Sequence, residues 1–313
     1  MIWDPRDIPD QSGRTVVVTG PTVGGLGYHT ALELARNGAR VVLAGRNKEK
    51  RKQAAAAISE ELPAAQVETL PLDLARMESV RHAASAARDL GPIHLLVNNA
   101  GVMGTPLRRT VDGLELQMQT NHFAPFLLTG LLLPQLVESG EGRVVTVSSL
   151  FHRYAGHQPV DDPREAEGRY HPWRVYGRSK LANLHFTSEL ERRLSARGLP
   201  VKALAAHPGF AGTHLAVNGQ YGVAGSGADL GSAQARRLDR MIGLVSQSAA
   251  AGARPTLMAA TADLDGDTFV GPTNFLQMQG PPKVVGRSRL ARDRSAGQRL
   301  WEISEGVVGM SYP

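Results

Sequence analysis

The sequence contains no cysteine, and aromatic residues make up only 5% of its 313 positions. Without cysteine, disulfide bonds, thiolate metal sites and thiol nucleophiles are all excluded. The histidines do not follow the spacing of a metal site on one helix, so we predict no bound metal. Internal repeats and low-complexity tracts are absent too. Any catalytic chemistry must therefore use oxygen and nitrogen side chains or a bound cofactor.

Long hydrophobic runs and a secretion signal are also missing. The most apolar stretch, residues 124–137, is too short to cross a bilayer and contains Pro134. The N-terminal residues lack the basic, then apolar, then small-residue order of a secretory signal. We therefore expect no membrane span and a cytoplasmic location.

The net charge of +6 would suit a nucleic acid partner, so the distribution of the charge has to decide. The densest basic segment, residues 283–299, carries five arginines without interleaved aromatic residues. This pattern favours a solvated helix face over a binding surface. We predict no nucleic acid partner.

Apolar strand segments alternate with helical segments along the chain. Strands are predicted at residues 14–19, 40–45, 66–71, 93–98, 142–148, 200–206 and 267–270. These runs are β-branched or leucine-rich without polar alternation, which is typical of a parallel sheet covered on both faces. The sequence predicts an α/β fold: a Rossmann-type, doubly wound, mostly parallel sheet of about seven strands with helices on both faces. No linker interrupts the alternation, so residues 1–313 are expected to form a single domain.

The first strand runs directly into a glycine-rich turn that contains Gly20, Gly25 and Gly27. A periodic helix follows and is expected to stop at Asn37 and Gly38. Glycine suits such a turn because the backbone must approach a pyrophosphate, whose charge then lies at the positive end of the helix. This strand, turn and helix predict a dinucleotide site.

Tyr176 and Lys180 are four residues apart, which in a helix places them on one face, about 6 Å apart along the axis. An ammonium 4 Å from a phenolate contributes about 4 kcal/mol at an effective dielectric of 20, enough to bring a tyrosine pKa from about 10 toward neutrality. The pair could then exchange a proton near neutral pH. This spacing alone is common on solvated helix faces. The rest of the sequence must therefore decide whether the pair is catalytic.

Five landmarks in the same order make this sequence resemble the short-chain dehydrogenase/reductase family over nearly the whole chain. They are the turn from Thr19 to Gly27, Asp73, the run Asn98 to Gly101, the set Asn121, Ser149, Tyr176 and Lys180, and the segment His207 to Thr213. Residues 120–129 and 179–183 look most like the retinol dehydrogenase-like and related bacterial branch. The resemblance implies the strand order 3-2-1-4-5-6-7.

The resemblance also implies catalytic roles. Tyr176 would donate a proton to a substrate carbonyl, and Ser149 would hydrogen bond the same oxygen. Lys180 would bind the nicotinamide ribose and lower the Tyr176 pKa, and Asn121 would hold a water that links Lys180 to solvent. Ser149 is preferred to Ser148 because alternation after the strand aims only one of the two at the cleft.

The cofactor contacts that the resemblance implies lie along the same edge of the sheet. They are Gly20, Thr22, Gly25, Leu26, Gly27, Arg46, Asp73, Leu74, Asn99, Ala100, Gly101, Tyr176, Lys180, Pro208, Gly209 and Thr213. After the second strand, Gly45 leaves the usual acidic position empty and Arg46 offers a planar cation to a phosphate. We therefore predict NADP(H) in preference to NAD(H). The alternative is that Arg46 only caps or solvates the strand end.

The glycine turn departs from the family pattern. Four residues separate Gly20 from Gly25, one more than usual, and we place the additional residue within positions 21–24. Helix entry at Gly25 to Gly27 is expected to be kept, but the loop that crosses the phosphates should be displaced. Pro21 also removes one N–H donor.

The substrate is predicted only as a class. The 26 residues between Ser149 and Tyr176 indicate an insertion over residues 151–173, and residues 210–250 are expected to form a lid. Both would border a site for a hydrophobic ketone, aldehyde or secondary alcohol. His152 could line this cleft.

Two other functions stay open: an NADP(H)-binding regulatory protein without turnover, and a nucleotide-sugar epimerase or dehydratase. The complete set of four catalytic residues disfavours the first. The short segment after Thr213 disfavours the second. The resemblance further implies a homodimer or homotetramer formed through the helices near Asn121 and Tyr176.

Overall fold

A computed structural model of the protein describes residues 2–157, 170–210, 247–274 and 276–313. Its centre is an eight-stranded sheet of order β3-β2-β1-β4-β5-β6-β7-β8. The strands are β1 Thr15–Thr19, β2 Arg40–Gly45, β3 Val67–Pro71, β4 Leu95–Asn98, β5 Gly142–Val147, β6 Val201–Ala206, β7 Phe269–Asn274 and β8 Gln279–Val284. Neighbours from β3 to β7 are parallel and β8 is antiparallel to β7. The predicted mostly parallel sheet is confirmed.

In the described residues the sheet has eight strands, one more than the predicted number of about seven. The additional strand, β8, contains Gly280, Pro281 and Pro282, which are depleted in strands. Proline cannot donate to a ladder and is tolerated at sheet edges. β8 is an edge strand, so its position in the sheet, which the sequence does not reveal, permits this composition.

Helices cover both faces of the sheet. They are α1 Leu26–Arg36, α2 Lys48–Glu61, α3 Met77–Ala86, α4 Leu116–Met118, α5 Ala124–Glu138, α6 Pro172–Ala196, α7 Ala249–Thr261 and α8 Arg294–Val308, with a π-helical turn Gln119–Phe123 between α4 and α5. Short 3-10 turns lie at Pro5–Asp7, Ala87–Leu90, Leu150–Tyr154 and Leu290–Arg292. Val17 of β1 belongs to the core under α3, α5, α6 and α8, whereas Val16 and Val18 belong to the core under α1, α2 and α7. This alternation confirms a doubly wound sheet.

Helix α5 contains the most apolar part of the sequence. Its side chains Phe126, Leu127 and Leu128 are completely buried in the protein. Among the described residues, none of the helices is long and apolar enough to cross a bilayer.

The C-terminal helix α8 packs on α5 and α6. Trp301 stacks on Phe186 of α6 with 6.0 Å between ring centroids, and it meets Phe126 of α5 edge-on at 4.8 Å. Beyond the helix, the Tyr312 hydroxyl donates to the Phe126 carbonyl at 2.9 Å. The helices on which we predicted an oligomer interface are thus partly covered by the chain's own C-terminal segment, and the oligomeric state stays a prediction.

Four of the histidines in the described residues are buried in the interior of the protein. Burial lowers the pKa of His122 and His207 to about 3 and the pKa of His152 and His185 to about 4. The unfolded chain binds protons at these histidines below about pH 6.5, whereas the folded chain leaves them neutral. Each one therefore lowers the free energy of unfolding as the pH falls through this window.

We expect the contribution of these four histidines to the free energy of unfolding to be flat above pH 7 and to decrease between about pH 6.5 and 4, by up to about 1.4 kcal/mol per pH unit for each histidine. Urea unfolding at stepped pH measures this slope. Replacing buried His185 (His185→Gln) should reduce the slope, whereas the same change at exposed His82 should not. Glu115, whose pKa burial raises, acts in the opposite direction. A slope that His185→Gln leaves unaltered would contradict the prediction.

Candidate active site

The site begins where β1 and β4 end, which is the point at which the strand order reverses. Thr19, the last residue of β1, joins the two strands: its Oγ1 accepts from the backbone N–H groups of Asn99 at 3.0 Å and Ala100 at 2.9 Å. The Gly20 N–H donates to the Ala44 carbonyl of β2 at 2.8 Å. These bonds fix three strand ends around one cleft.

The additional residue of the glycine turn lies in a β-turn. The Gly25 N–H donates to the Thr22 carbonyl at 2.8 Å, and Gly24 has a φ of +74°. This is the position at which a type II turn requires glycine. Val23 lies at the exposed tip, and α1 begins at Leu26 as predicted. The turn uses the N–H groups of Thr22 and Gly25 internally, so they are engaged before any phosphate binds.

Close packing around Gly27 holds this turn against β4. A Cβ atom at Gly27 would lie 2.5 Å from Asn99 Nδ2 and 2.8 Å from the Gly20 carbonyl oxygen. Asn99 Nδ2 donates to the Thr19 carbonyl at 2.7 Å. The side chain of Asn99, predicted as a cofactor contact, thus supports the turn. Gly25, Leu26 and Gly27 form the helix entry beside it.

A cleft of about 210 Å³ opens in front of this turn. Of the predicted cofactor residues, the structure brings together along the cleft Gly20, Thr22, Arg46, Asp73, Leu74, Ala100 and Gly101. Lys50 and Arg51 of α2 also line it and add positive charge that the sequence prediction missed. Glycine at the turn and three cations at the end of β2 fit a dinucleotide that carries phosphate groups.

The predicted catalytic residues meet at the end of β5. Ser149 follows the strand, and its hydroxyl lies beside the phenol of Tyr176 on α6, where it lowers the pKa of that phenol. Ser148 points the other way, since its hydroxyl donates to the Lys180 carbonyl at 2.8 Å. The preference for Ser149 over Ser148 thus agrees with the geometry.

Lys180 lies behind Tyr176, with Nζ 5.8 Å from the centroid of the phenol ring and donating to the Val147 carbonyl at 3.0 Å. Burial raises the pKa of Tyr176 to about 12, although the neighbouring Ser149 hydroxyl lowers it. Burial also lowers the pKa of Lys180 to about 8. The expected lowering of the Tyr176 pKa toward neutrality is therefore wrong for this structure, because removal from water raises this pKa more than the Ser149 hydroxyl lowers it.

Asn121 lies in the π-helical turn, a feature that recurs at functional sites. Its side chain accepts from the Val102 N–H at 2.8 Å and donates to the Val102 carbonyl and to Ser179 Oγ, each at 2.9 Å. A Cβ atom at Gly101 would lie 3.0 Å from Asn121 Oδ1 and 3.4 Å from Lys180 Nζ. The Asn121 amide therefore joins the loop after β4 to α6.

Aromatic side chains border Tyr176. Phe151 meets the phenol ring edge-on with 5.6 Å between centroids, and it stacks on Trp173 at 5.3 Å. Trp173 is about half exposed and also packs against Gly104. These rings form an apolar wall from the predicted insertion; its residues 158–169 lie outside the described part.

The prediction that His152 lines the cleft is wrong. The ring is completely buried, and its Nδ1 donates to the Ser149 carbonyl at 2.7 Å while its Nε2 accepts from the Ser288 N–H at 3.3 Å. Both nitrogens of this neutral histidine are thus used to join the end of β5 to the segment after β8. The sequence could not separate this structural role from a cleft position.

Pro208 and Gly209 follow β6 and lie against the β7–β8 hairpin. Gly209 has a φ of +67°, and a Cβ atom there would lie 2.3 Å from the Met278 carbonyl oxygen. The Pro208 carbonyl accepts from Gln247 Nε2 at 2.6 Å. Thr213 and most of the predicted lid, residues 211–246, lie outside the described residues.

A buried polar cluster that sequence reasoning missed holds the start of α6. The Tyr170 hydroxyl donates to Glu115 Oε1 at 2.8 Å and accepts from Gln117 Nε2 at 2.8 Å. Gln117 also bonds the Pro172 carbonyl at 3.0 Å and the Gly104 N–H at 2.9 Å. The cluster joins the helix that carries Tyr176 to the loop after β4. Tyr170 lies 55 positions after Glu115 and 53 after Gln117, so the cluster leaves no local signal in the sequence.

Replacing Tyr170 with phenylalanine (Tyr170→Phe) should lower the free energy of unfolding by about 1–3 kcal/mol, because buried Glu115 and Gln117 would each lose a partner. Urea unfolding at pH 7.5 measures the change. Tyr154→Phe removes the same hydroxyl from a ring that is 70% exposed and serves as the control. Equal stability of the two variants would contradict the importance of the cluster.

The sequence is similar to known proteins of one family. Residues 14–220 match the short chain dehydrogenase family. Retinol dehydrogenase 13 from Homo sapiens is 38% identical over 307 residues, which cover 96% of this chain and 86% of that protein. Polyprenol dehydrogenase from Mus musculus is 40% identical over 306 residues, covering 95% and 84% respectively.

Comparison with solved structures supports the same family. A crystal structure of an uncharacterized protein from Mycobacterium paratuberculosis is 42% identical, with a TM-score of 0.79 and full coverage of both chains. A short chain dehydrogenase from Shigella flexneri, complexed with NADP, is 25% identical with a TM-score of 0.61 and covers 83% of this chain and 97% of that one. The protein therefore belongs to the short-chain dehydrogenase/reductase family of oxidoreductases and is similar to its retinol dehydrogenase-like members.

Proposed function

We propose that the protein is an NADP(H)-dependent oxidoreductase that transfers a hydride between the nicotinamide and a carbonyl or secondary alcohol of an apolar small molecule. The observation that carries the proposal is the placement of Ser149 beside the buried phenol of Tyr176, with Lys180 Nζ 5.8 Å from the phenol ring. Both side chains lie at the carboxyl edge of the sheet that also holds the cleft with Arg46. In doubly wound sheets this edge is where ligands bind.

The cofactor would lie across this edge. The glycine turn and the start of α1 would hold the pyrophosphate, Asp73 and Leu74 would contact the adenine side, and Lys180 would reach the nicotinamide ribose. When bound, NADPH supplies the hydride. Gly101 would allow the cofactor to lie near Lys180 without disturbing it, because a side chain at this position would press on both Asn121 and Lys180.

Side chains of the protein would donate the proton to the substrate and replace it afterwards. In the reductive direction, Tyr176 donates its phenolic proton to the carbonyl oxygen as negative charge develops there, and Ser149 hydrogen bonds the same oxygen. A Tyr176 pKa of about 12 keeps the phenol protonated at neutral pH, which suits a proton donor. Lys180, with a pKa of about 8, can return a proton toward Tyr176, along a route that Asn121 would link to solvent.

The substrate proposal depends on the apolar wall. Phe151 and Trp173 present ring faces and edges beside Tyr176, and such surfaces favour apolar ligands. The names of two relatives, retinol dehydrogenase 13 and polyprenol dehydrogenase, denote alcohols with large apolar parts. We extend only the apolar class to this chain. Residues 210–250 would act as its lid within a single domain.

Titration with NADPH and NADH separately, followed by nucleotide fluorescence, tests the proposal. A panel of apolar ketones and aldehydes, with retinal included, is then added to the complex that forms. NADPH binding followed by carbonyl-dependent loss of absorbance at the reduced nicotinamide band would support the reductase. Binding without any turnover would instead favour a regulatory NADP(H)-binding protein, and failure to bind either nucleotide would overturn the assignment.

A further inference from the structure

Arg51 is a buried cation that lines the cleft. Its side chain lies on the first turns of α2 and the residue is only 6% exposed. Among the described residues it forms no salt bridge with a carboxylate, and its buried Nε has no hydrogen-bond partner. Buried charges are normally paired, because removing an ion from water without compensation is costly. The missing partner of Arg51 is therefore expected to be an anion that enters the cleft.

The Arg51 side chain lies in contact with Gly45. A Cβ atom at Gly45 would lie 3.7 Å from Arg51 Cγ and 3.4 Å from Pro21 Cδ. The Arg51 stem therefore passes over the strand end where a side chain at position 45 would otherwise project. Its Nη1 donates to the carbonyls of Gly45 and, at 3.1 Å, Arg46. The Arg51 guanidinium therefore lies next to position 45. A carboxylate at position 45 would repel a phosphate on the ribose, whereas Arg51 would attract it.

The arrangement is that of a built anion site. Two carbonyls orient the guanidinium of Arg51, and the neighbouring cations Arg46 and Lys50 line the same cleft. Asp73 also lines it, but one of its carboxylate oxygens accepts from the Ala75 N–H at 3.0 Å. Guanidinium groups held in a fixed orientation bind phosphate through paired N–H donors.

We propose that Arg51 binds the 2′-phosphate of the adenosine ribose and, together with Gly45, determines the preference for NADP(H). This inference rests on the proposed function and concerns only the choice between the two nucleotides. Arg46, which is exposed, adds a second and weaker contact. The choice depends on Arg51 more than on Arg46 because a buried, oriented cation binds a phosphate more strongly than a solvated one.

Fluorescence titration of the full chain with NADPH and with NADH tests this assignment, and displacement by 2′,5′-ADP or 5′-ADP supplies a readout without the nicotinamide. Arg51→Leu should weaken NADPH and 2′,5′-ADP binding by about 30-fold or more and change NADH binding by less than about threefold. Lys52→Leu removes the same charge from the next, exposed position. This control should alter neither nucleotide appreciably. Arg46→Leu should have a smaller effect than Arg51→Leu.

A second variant distinguishes phosphate binding by Arg51 from a purely structural role of this residue. Gly45→Asp places a carboxylate beside the guanidinium and should weaken NADPH binding by a similar factor while NADH binding is kept or improved. Loss of both nucleotides in Arg51→Leu, with NADPH preference unaltered in Gly45→Asp, would overturn the inference. So would unaltered NADPH affinity in Arg51→Leu, with the proposed function intact. If the unmodified protein binds neither nucleotide, the proposed function falls first.

Discussion

Replacing Tyr176 with phenylalanine (Tyr176→Phe) is expected to reduce the turnover number for carbonyl reduction by about 10³-fold, within the range of general acid catalysis. The phenol is buried beside Ser149, and it keeps its proton at neutral pH because its pKa is about 12. Phenylalanine retains the ring contacts with Phe151 and Trp173 but has no proton to give. Steady-state kinetics with the best carbonyl substrate measures the loss.

Two further measurements separate lost chemistry from lost structure. The affinity for NADPH should remain within about twofold in Tyr176→Phe, and Tyr154→Phe in the neighbouring turn should keep full turnover. In the oxidative direction Tyr176 must accept a proton, so the rate of alcohol oxidation should rise with pH as the phenolate becomes populated. A turnover number near normal in Tyr176→Phe would mean that another group donates the proton.

The second large effect is expected at Gly27. The Cβ atom of Gly27→Ala would lie 2.5 Å from Asn99 Nδ2 and 2.8 Å from the Gly20 carbonyl oxygen, so α1 and the glycine turn must separate. We expect the free energy of unfolding to fall by about 1–3 kcal/mol from this overpacking. The displaced turn should also lower nucleotide affinity by about 100-fold, which corresponds to about 2.8 kcal/mol of lost binding free energy.

Gly306→Ala is the matched control for Gly27. It adds the same methyl group on the exposed side of α8, where a Cβ atom would meet nothing within 4 Å. Alanine is favoured over glycine inside a helix, so this variant should be slightly more stable, by about 0.5–1 kcal/mol. Urea unfolding and NADPH titration of both variants supply the comparison. Normal nucleotide affinity in Gly27→Ala would show that the turn tolerates the displacement.

Local patterns predicted most of the sheet because they report burial directly. The runs that became β1, β2 and β5 are apolar on both faces, which in a strand is compatible only with a covered parallel sheet. The end of α1 at Asn37 was likewise predicted from its own residues. β8 was missed because its prolines disfavour a strand everywhere except at a sheet edge.

The sequence also predicted which side chains to consider at the site but not their electrostatic state. Tyr176 and Lys180 lie on one helix face as their spacing requires. The pKa of Tyr176, however, depends on how completely the surrounding residues exclude water, and this exclusion reverses the expected shift. His152 shows the same limitation, since a position three residues after Ser149 is compatible with a cleft or with the core.

By itself, the sequence determined the strand and helix order, the glycine turn and the pairing of Tyr176 with Lys180, because these depend on neighbours within one or two turns of the chain. Only the tertiary structure decided the contacts between distant segments. Glu115 meets Tyr170, the C-terminal helix covers α5 and α6, and Arg51 fills the space left by Gly45. Such contacts depend on how the elements pack around the sheet, and packing leaves no periodic signal in the sequence.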